Sequence, residues 1–221
     1  MINHARIIIF AKYPTAGLVK TRLIPELGAS GAAILAEWLL KKTVQQALAT
    51  GITTELCVAP DADHPCWKNL DLPVELHWSN QNVGDLGQRM ASAVKRTIVD
   101  EPILLIGTDC PDLDTHRIQT ALMKLADHDV VIIPALDGGY VLLGLRKYDP
   151  SLFEDIEWST SSVFEVTKNR LDQLGWSSYI FPAQADIDVP DDLKYLPYAW
   201  QTIIENHQKK MTTIHQEVTS T

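Results

Sequence analysis

The sequence contains little cysteine, and its three cysteines, Cys57, Cys66 and Cys110, form no C-x-x-C pair. This spacing argues against a disulfide framework and against a zinc site. The sequence also lacks a long apolar run near its N-terminus, because residues 7–11 are too few for a signal peptide or a membrane span. We therefore expect a soluble, cytoplasmic protein without a membrane span.

Positive charge is also scarce. The chain has 19 Lys and Arg against 28 Asp and Glu, which gives a net charge of −9. Nucleic acids and anionic membranes attract basic surfaces, so we expect neither as a partner. A phosphorylated small molecule remains compatible with this charge, since one local basic site or one bound cation is enough to hold it.

The composition is that of an ordinary globular protein. The 221 residues are 46% hydrophobic and 21% charged, and roughly 150 residues make a typical domain. The sequence predicts a single domain over residues 1–200, followed by a polar helix end or tail over 201–221. It leaves the oligomeric state open.

Short apolar segments alternate with segments of helical periodicity. Strands are predicted at 6–11, 54–59, 74–78, 103–106, 130–133, 139–145 and 177–181. Helices are predicted at 28–50, 84–99, 115–126, 161–174 and 190–200, with a long loop at 12–27. This alternation indicates a mostly parallel α/β sheet with helices on both faces. The connection before residue 139 is too short for a crossover helix, so that strand should be antiparallel or not adjacent to its predecessor.

The loop after the first predicted strand carries Lys12, Lys20 and Arg22 around Gly17. Ligands of open α/β sheets bind where strands end, and cations beside free backbone amides suit a phosphate. We favour phosphate binding over a solvated loop. A P-loop NTPase is not expected, because Val19 stands where that motif has glycine before its lysine.

Carboxylates follow the strand predicted at 103–106. Asp112 or Asp114 can cap the next helix, whereas Asp109 lies directly at the end of the strand. A second acidic cluster near the end of the chain contains Asp188. Because Mg²⁺ binds through one or two carboxylates and substrate phosphates, these clusters favour a metal–diphosphate site.

Three other segments are weaker signals. The sequence Asp137-Gly138-Gly139-Tyr140 is typical of a turn, although paired glycines also let a ligand approach the backbone. Asp85 opens a predicted helix and could present its carboxylate or the helix amides to a ligand. The hydroxyls of residues 158–162 suit a helix cap or an acceptor site.

Taken together, the motifs resemble a group of bacterial glycosyltransferases with the GT-A, nucleotide-diphospho-sugar transferase-like fold, a Rossmann-like mixed and mostly parallel sheet. The resemblance covers about residues 5–195. It is carried, in the family's order, by AKYPTAGLVKTRL at 11–23, GDLGQRM at 84–90, GTDCPDL at 107–113, DGGYVLLGL at 137–145, WST at 158–160 and DIDVPDDL at 186–193.

The motifs are more distantly similar to those of 2-phospho-L-lactate guanylyltransferases, which share a K-x-R-L loop and a D-x-D-T-P-x-D-L segment. Val189 replaces the threonine of that segment here, which removes a hydroxyl near the presumed metal. The glycine-rich first loop of molybdenum-cofactor guanylyltransferases is absent.

The resemblance implies a role for each matching residue. A nucleotide and its phosphates would contact the first loop and the start of the helix predicted at 84–99, at Lys12, Gly17, Lys20, Thr21, Arg22 and Asp85. Asp109 and Asp188 would hold Mg²⁺ or Mn²⁺. The acceptor or sugar would face Gly138, Gly139, Tyr140, Trp158, Ser159 and Thr160.

The expected activity is metal-dependent transfer from a nucleotide-activated donor, with Asp109, Lys20 and Asp137 as the catalytic candidates. Glycosyl transfer to a small acceptor is the first expectation, with Asp137 as the base. The alternatives are nucleotidyl transfer, in which a nucleoside triphosphate joins a phosphorylated small molecule and releases pyrophosphate, and nucleotide binding without catalysis.

Overall fold

A seven-stranded sheet runs through the protein in the computed structural model, which describes residues 4–99 and 101–204. The strands are β1 (Arg6–Lys12), β2 (Thr53–Ala59), β3 (His77–Asn80), β4 (Ile103–Ile106), β5 (Val130–Pro134), β6 (Tyr140–Leu145) and β7 (Ser178–Ile180). Their order across the sheet is β3-β2-β1-β4-β6-β5-β7.

The sheet is parallel except at β6. This strand forms an antiparallel hairpin with β5 and also pairs antiparallel with β4, where Ile106 faces Leu142. Because β6 is antiparallel to β1 and β4, its first residue lies at the edge of the sheet where β1 and β4 end. The predicted mixed, mostly parallel α/β sheet and the predicted exception at residues 139–145 are both confirmed.

Both faces of the sheet are covered by helices, which are α1 (Ile24–Leu48), α2 (Leu86–Thr97), α3 (Thr115–Asp127) and α4 (Val163–Leu174). Ile7 and Ile9 of β1 lie in the core that contains side chains of α1 and α3. Ile8 lies in the core that contains side chains of α2 and α4. Successive strand residues point to opposite faces, so two covered faces require a continuous apolar strand.

Two predicted segments have the wrong bounds. The segment 12–27 is not loop throughout, because α1 begins at Ile24 with Pro25 in its first turn, a position that proline favours. Gly28, at φ 68°, then kinks the helix. The strand predicted at 74–78 lies instead at His77–Asn80, where it pairs with β2.

The helix predicted at 190–200 is two pieces. A 3₁₀ helix covers Pro190–Tyr195, and Pro197 separates it from a helix that begins at residue 198. The residue before a proline avoids helical geometry, which explains the break. Within the predicted tail, residues 201–204 continue the second helix and 205–221 lie outside the described residues.

One described stretch, Thr21–Leu48, has the length and the mean hydropathy of a membrane span, 1.3 over 18 residues. Its apolar side chains have partners within the fold. Leu40 and Val44 lie in the core under the sheet, whereas Leu35 and Leu39 pack against the segment around Ile187. The two buried sides of α1 therefore account for its composition.

A buried carboxylate connects three elements on the α2 side of the sheet. Glu55 of β2 pairs with Arg96 of α2 at 2.5 Å and with Arg6 of β1 at 3.3 Å. Ser79 donates a hydrogen bond to Glu55 at 2.6 Å. Burial alone would raise the pKa of Glu55, but the bonds from Arg96 and Ser79 outweigh it and hold that pKa below its usual value.

The substitution Arg96→Met leaves the buried Glu55 carboxylate with fewer donors. We expect the free energy of unfolding at pH 7 to fall by about 1–3 kcal/mol, as for a buried acceptor that loses its partner. Stability from a lowered carboxyl pKa is present above about pH 4.3 and is lost as pH falls. Acid unfolding of the variant should therefore begin at a higher pH.

Urea unfolding followed by circular dichroism, repeated across an acid titration, measures both effects. The exposed Lys95 on the same helix provides the matched control Lys95→Met, which should change stability by less than about 0.5 kcal/mol. Equal stability of the Arg96 variant and this control would contradict the assignment.

Candidate active site

A cleft of about 620 Å³ opens at the edge of the sheet where β1 and β4 end and β6 begins. Its lining comes from many segments of the chain. They include the end of β1 and the loop after it, α1, Gln81, the start of α2, the turn after β4, the β5–β6 hairpin, residues 158–163 and residues 186–188. Its volume lies within the range that small-molecule and cofactor sites usually occupy.

The side chain of Lys20 lines this cleft and is almost completely buried, with 5% of it exposed. Its Nζ donates hydrogen bonds to Asp109 Oδ1 and, at 2.6 Å, to the Ile187 carbonyl. Asp188 Oδ1 lies 3.4 Å away. One cation therefore joins the loop after β1, the turn after β4 and the segment after β7.

The backbone fixes the partners of Lys20. Ile187 N donates to the Asp109 carbonyl at 2.9 Å, which joins the two acidic segments directly. Asp192 accepts hydrogen bonds from the amides of Asp188 and Val189 at 2.9 and 2.8 Å. The carboxylate of Asp192 thus sets the turn that directs Asp188 toward the cleft.

The charged groups in the cleft shift one another's pKa values. Burial lowers the pKa of Lys20, but the carboxylates of Asp109 and Asp188 outweigh burial and raise that pKa above its usual value. Burial, followed by the charge of Asp137, raises the pKa of Asp186 to about 6, and the other two aspartates add to the shift. The end of the cleft near Asp186 therefore has a negative field.

The structure brings many of the predicted residues together. Ten of them line the cleft, namely Lys12, Lys20, Asp109, Asp137, Gly139, Tyr140, Trp158, Ser159, Thr160 and Asp188. Five others are not among its lining residues, namely Gly17, Thr21, Arg22, Asp85 and Gly138.

The residues outside the lining have other contacts. The Asp85 carboxylate caps α2 by accepting from Gln88 N at 2.8 Å, so it is engaged within the protein. Gly138 has φ 95°, and a Cβ there would lie 2.2 Å from the Ser161 carbonyl. It is therefore required by the close approach of two segments. Arg22 Nη1 remains near the site, 3.7 Å from Asp188 Oδ2.

Four polar residues that line the cleft were not predicted from the sequence: Gln81, Arg89, Thr108 and Asp186. Gln81 Nε2 donates to the carbonyls of Ala11 and Cys57 at 3.0 and 3.1 Å, across the ends of β1 and β2. Asp186 and Arg89 belong to the motifs at 186–193 and 84–90, so the motifs could have been used to predict them. Gln81 carried no comparable signal.

The acidic residues of the cleft fit a hard divalent cation. Asp109 Oδ2 has no partner in the described part of the chain, and 48% of that side chain is exposed. Asp188 is 43% exposed. Among residues 4–99 and 101–204, no group of three or more Asp, Glu, His or Cys could itself hold a metal. Two carboxylates completed by substrate phosphates are a common arrangement for Mg²⁺.

This fold, with its cleft at the strand ends, is that of the nucleotide-diphospho-sugar transferase-like α/β proteins. The chain belongs to the bacterial family described as "Uncharacterized protein conserved in bacteria (DUF2064)", whose sequence profile matches residues 42–160. A comparison with curated proteins finds no match. The resemblance derived from the sequence motifs is thereby confirmed.

Solved structures support the same fold. A putative nucleotide-diphospho-sugar transferase from Desulfovibrio desulfuricans G20 is 30% identical, with a TM-score of 0.85 over 93% of this chain and 97% of that one. The 4-diphosphocytidyl-2C-methyl-D-erythritol synthase of Anaerococcus prevotii DSM 20548 is 10% identical, with a TM-score of 0.55 over 95% and 98%. The inositol-1-phosphate CTP transferase of T. maritima is 13% identical, with a TM-score of 0.52 over 93% and 96%. At these identities the latter two share the fold alone.

The substitution Lys20→Met tests whether this ammonium holds the segment after β7 in place. Asp109 and Asp188 are each about half exposed and can be hydrated, so we expect the fold to persist. Their mutual repulsion and the lost bond to the Ile187 carbonyl should speed amide hydrogen exchange in residues 186–192 about fivefold, as expected for one lost hydrogen bond.

Hydrogen exchange measured by mass spectrometry checks this, with α3 as an internal reference. Lys12→Met is the matched control, because Lys12 lines the same cleft but is exposed. Unchanged exchange in residues 186–192 of the Lys20 variant would show that this segment is held by other contacts.

Proposed function

We propose that the protein is a metal-dependent transferase that uses a nucleotide-activated donor, and that it transfers a glycosyl group from a nucleotide-diphospho-sugar to a small acceptor. The observation that carries this proposal is the meeting of Lys20, Asp109 and Asp188 in a cleft at the strand ends. A cytoplasmic location is part of the same proposal.

The part of the cleft around Lys20, Asp109 and Asp188 suits a diphosphate. Lys20 and Arg22 follow β1 and supply positive charge, and Asp109 and Asp188 offer oxygen ligands to Mg²⁺ or Mn²⁺. Bound at these carboxylates, the cation would neutralise charge on the departing nucleoside diphosphate. Such stabilisation of developing charge is often the largest contribution of an enzyme to its rate.

The transfer itself changes two bonds. The acceptor oxygen bonds to the anomeric carbon of the sugar, and the bond from that carbon to the diphosphate oxygen breaks. The electron pair leaves with the nucleoside diphosphate, whose charge Lys20 and Arg22 offset. The hydroxyl proton passes to a base, for which Asp137 is our candidate.

The position of Asp137 supports this role. Its Oδ1 accepts a hydrogen bond from Gly139 N at 2.8 Å, which fixes the carboxylate on the hairpin. Its Oδ2 has no partner among the described residues, and the side chain is exposed to the cleft. A general base needs such a free and oriented oxygen within reach of the proton.

Nucleotidyl transfer is the second candidate. It is favoured by the concentration of cations after β1, which also suits a triphosphate, and by the fold shared with CTP-using enzymes. A phosphate nucleophile would attack the α-phosphate, the bond to the β-phosphate oxygen would break, and pyrophosphate would carry away the electron pair. No base is needed, because a phosphate is already ionised.

The variant Asp109→Asn should reduce metal-dependent turnover by at least about 100-fold, because one charged metal ligand and one partner of Lys20 are lost. The fold should persist, since Lys20 keeps its contacts with Ile187 and Asp188. Turnover is measured as release of nucleoside diphosphate, and the fold is checked by circular dichroism. The matched control is Asp112→Asn in the same turn, because Asp112 does not line the cleft. Wild-type rates in both variants would place the site elsewhere.

A thermal-shift panel separates the candidate functions. Ligands that bind the native state raise the unfolding temperature by mass action. Stabilisation by a nucleoside diphosphate or nucleotide sugar that requires Mg²⁺ or Mn²⁺ supports sugar transfer, whereas a preference for triphosphates with pyrophosphate as product supports nucleotidyl transfer. Metal-independent binding that Asp109→Ala leaves intact would support nucleotide binding without catalysis.

A further inference from the structure

The lining of the cleft contains two chemically different groups of side chains. One group is Lys20 with its aspartates, and the other is a set of large aromatic and aliphatic side chains. We call this second group the apolar wall. Its members come from β1, α2, β4, β6 and the segment before α4: Phe10, Leu86, Met90, Leu105, Tyr140 and Trp158.

The apolar wall is held in place by close packing. The Trp158 indole lies against the backbone of α2 at Gly87, where a Cβ would come within 2.3 Å of Trp158 Nε1. Tyr140 and Trp158 are perpendicular, with ring centroids 6.4 Å apart. Met90 and Leu105 are buried behind them. The wall therefore exists before a ligand arrives.

The wall also contains one unsatisfied polar group. The hydroxyl of Tyr140 is buried and has no hydrogen-bond partner among the described residues. A buried polar group without a partner costs about 1–3 kcal/mol. The hydroxyl is enclosed by protein, so the ring of Tyr140, and not its polar end, is the part that a ligand in the cleft would contact.

Two carboxylates that line the cleft disfavour an anion beside the β5–β6 hairpin. Asp137 precedes Tyr140 on the same hairpin, and Asp186 interacts electrostatically with Asp137. In the described part of the chain neither carboxylate forms an ion pair. Lys12 and Arg89 also line the cleft, and Arg89 is held by a bond from its Nε to the Gly84 carbonyl. A phosphate beside the hairpin would nevertheless face two carboxylates of like charge.

From this arrangement we infer the class of acceptor: an uncharged hydroxyl compound with an apolar or aromatic body that lies against Tyr140 and Trp158. The inference rests on the proposed transfer and specifies its second substrate. A phosphorylated acceptor, which nucleotidyl transfer would require, would be repelled by the carboxylates of Asp137 and Asp186.

Three probes that share one sugar test the inference: phenyl β-D-glucoside, D-glucose and D-glucose 6-phosphate. Each is titrated calorimetrically into the protein with Mg²⁺ and whichever of UDP, GDP, CDP and ADP binds. We expect the phenyl glucoside to bind about tenfold more tightly than glucose, as expected for burial of a small apolar group. The sugar phosphate should not bind.

Substitutions in the apolar wall test whether this wall causes the preference for the phenyl glucoside. Trp158→Ala should abolish the preference for the phenyl glucoside, and Leu86→Ser, at a more exposed position of the wall, should reduce it without loss of the fold. Val83→Ala is the matched control, because Val83 is exposed and does not line the cleft. A preference that survives both wall variants overturns the placement.

The outcomes distinguish the two proposals. If a nucleoside diphosphate binds but the sugar phosphate binds more tightly than the phenyl glucoside, or the phenyl glucoside does not bind, the acceptor class is wrong and the transferase proposal stands. If no nucleoside diphosphate binds, the transferase proposal fails and the acceptor class fails with it.

Discussion

The buried ammonium of Lys20 is the contact on which the candidate site depends. Removing a charged group from water is costly, and only close, well-oriented partners of opposite charge offset the cost. Two carboxylates and a carbonyl supply that compensation for Lys20. These partners come from the turn after β4 and the segment after β7. The same contact therefore joins three segments that line the cleft and orients the acidic side chains in it.

Local sequence rules predicted much of this arrangement. The apolar segments that became β1 and β4 end at charged loops, and parallel strands present their ends at one edge of the sheet. That rule is sufficient to bring Lys20 and Asp109 together from sequence alone. Asp188 was predicted as a metal ligand from the second acidic cluster and from the resemblance, but no local signal predicted its contact with the ammonium.

The remaining features depend on contacts between distant segments. The apolar wall draws side chains from five elements, and none of those segments has a pattern that distinguishes a wall residue from a core residue. Asp85, at the start of a predicted helix, was expected to present its carboxylate or the helix amides to a ligand, yet the carboxylate caps α2. The start of α1 was missed because proline indicates a loop as readily as a first helical turn.

The separation of these partners along the chain has a consequence for biosynthesis. Lys20 and Asp188 are 168 positions apart, and the ribosome synthesises the chain from its N-terminal end, whereas a domain generally folds as a unit. Until Asp188 has been synthesised, the lysine lacks one of its two carboxylates. The site therefore becomes complete only when nearly the whole chain has been synthesised. An incomplete nascent chain would lack part of its ligand-binding site.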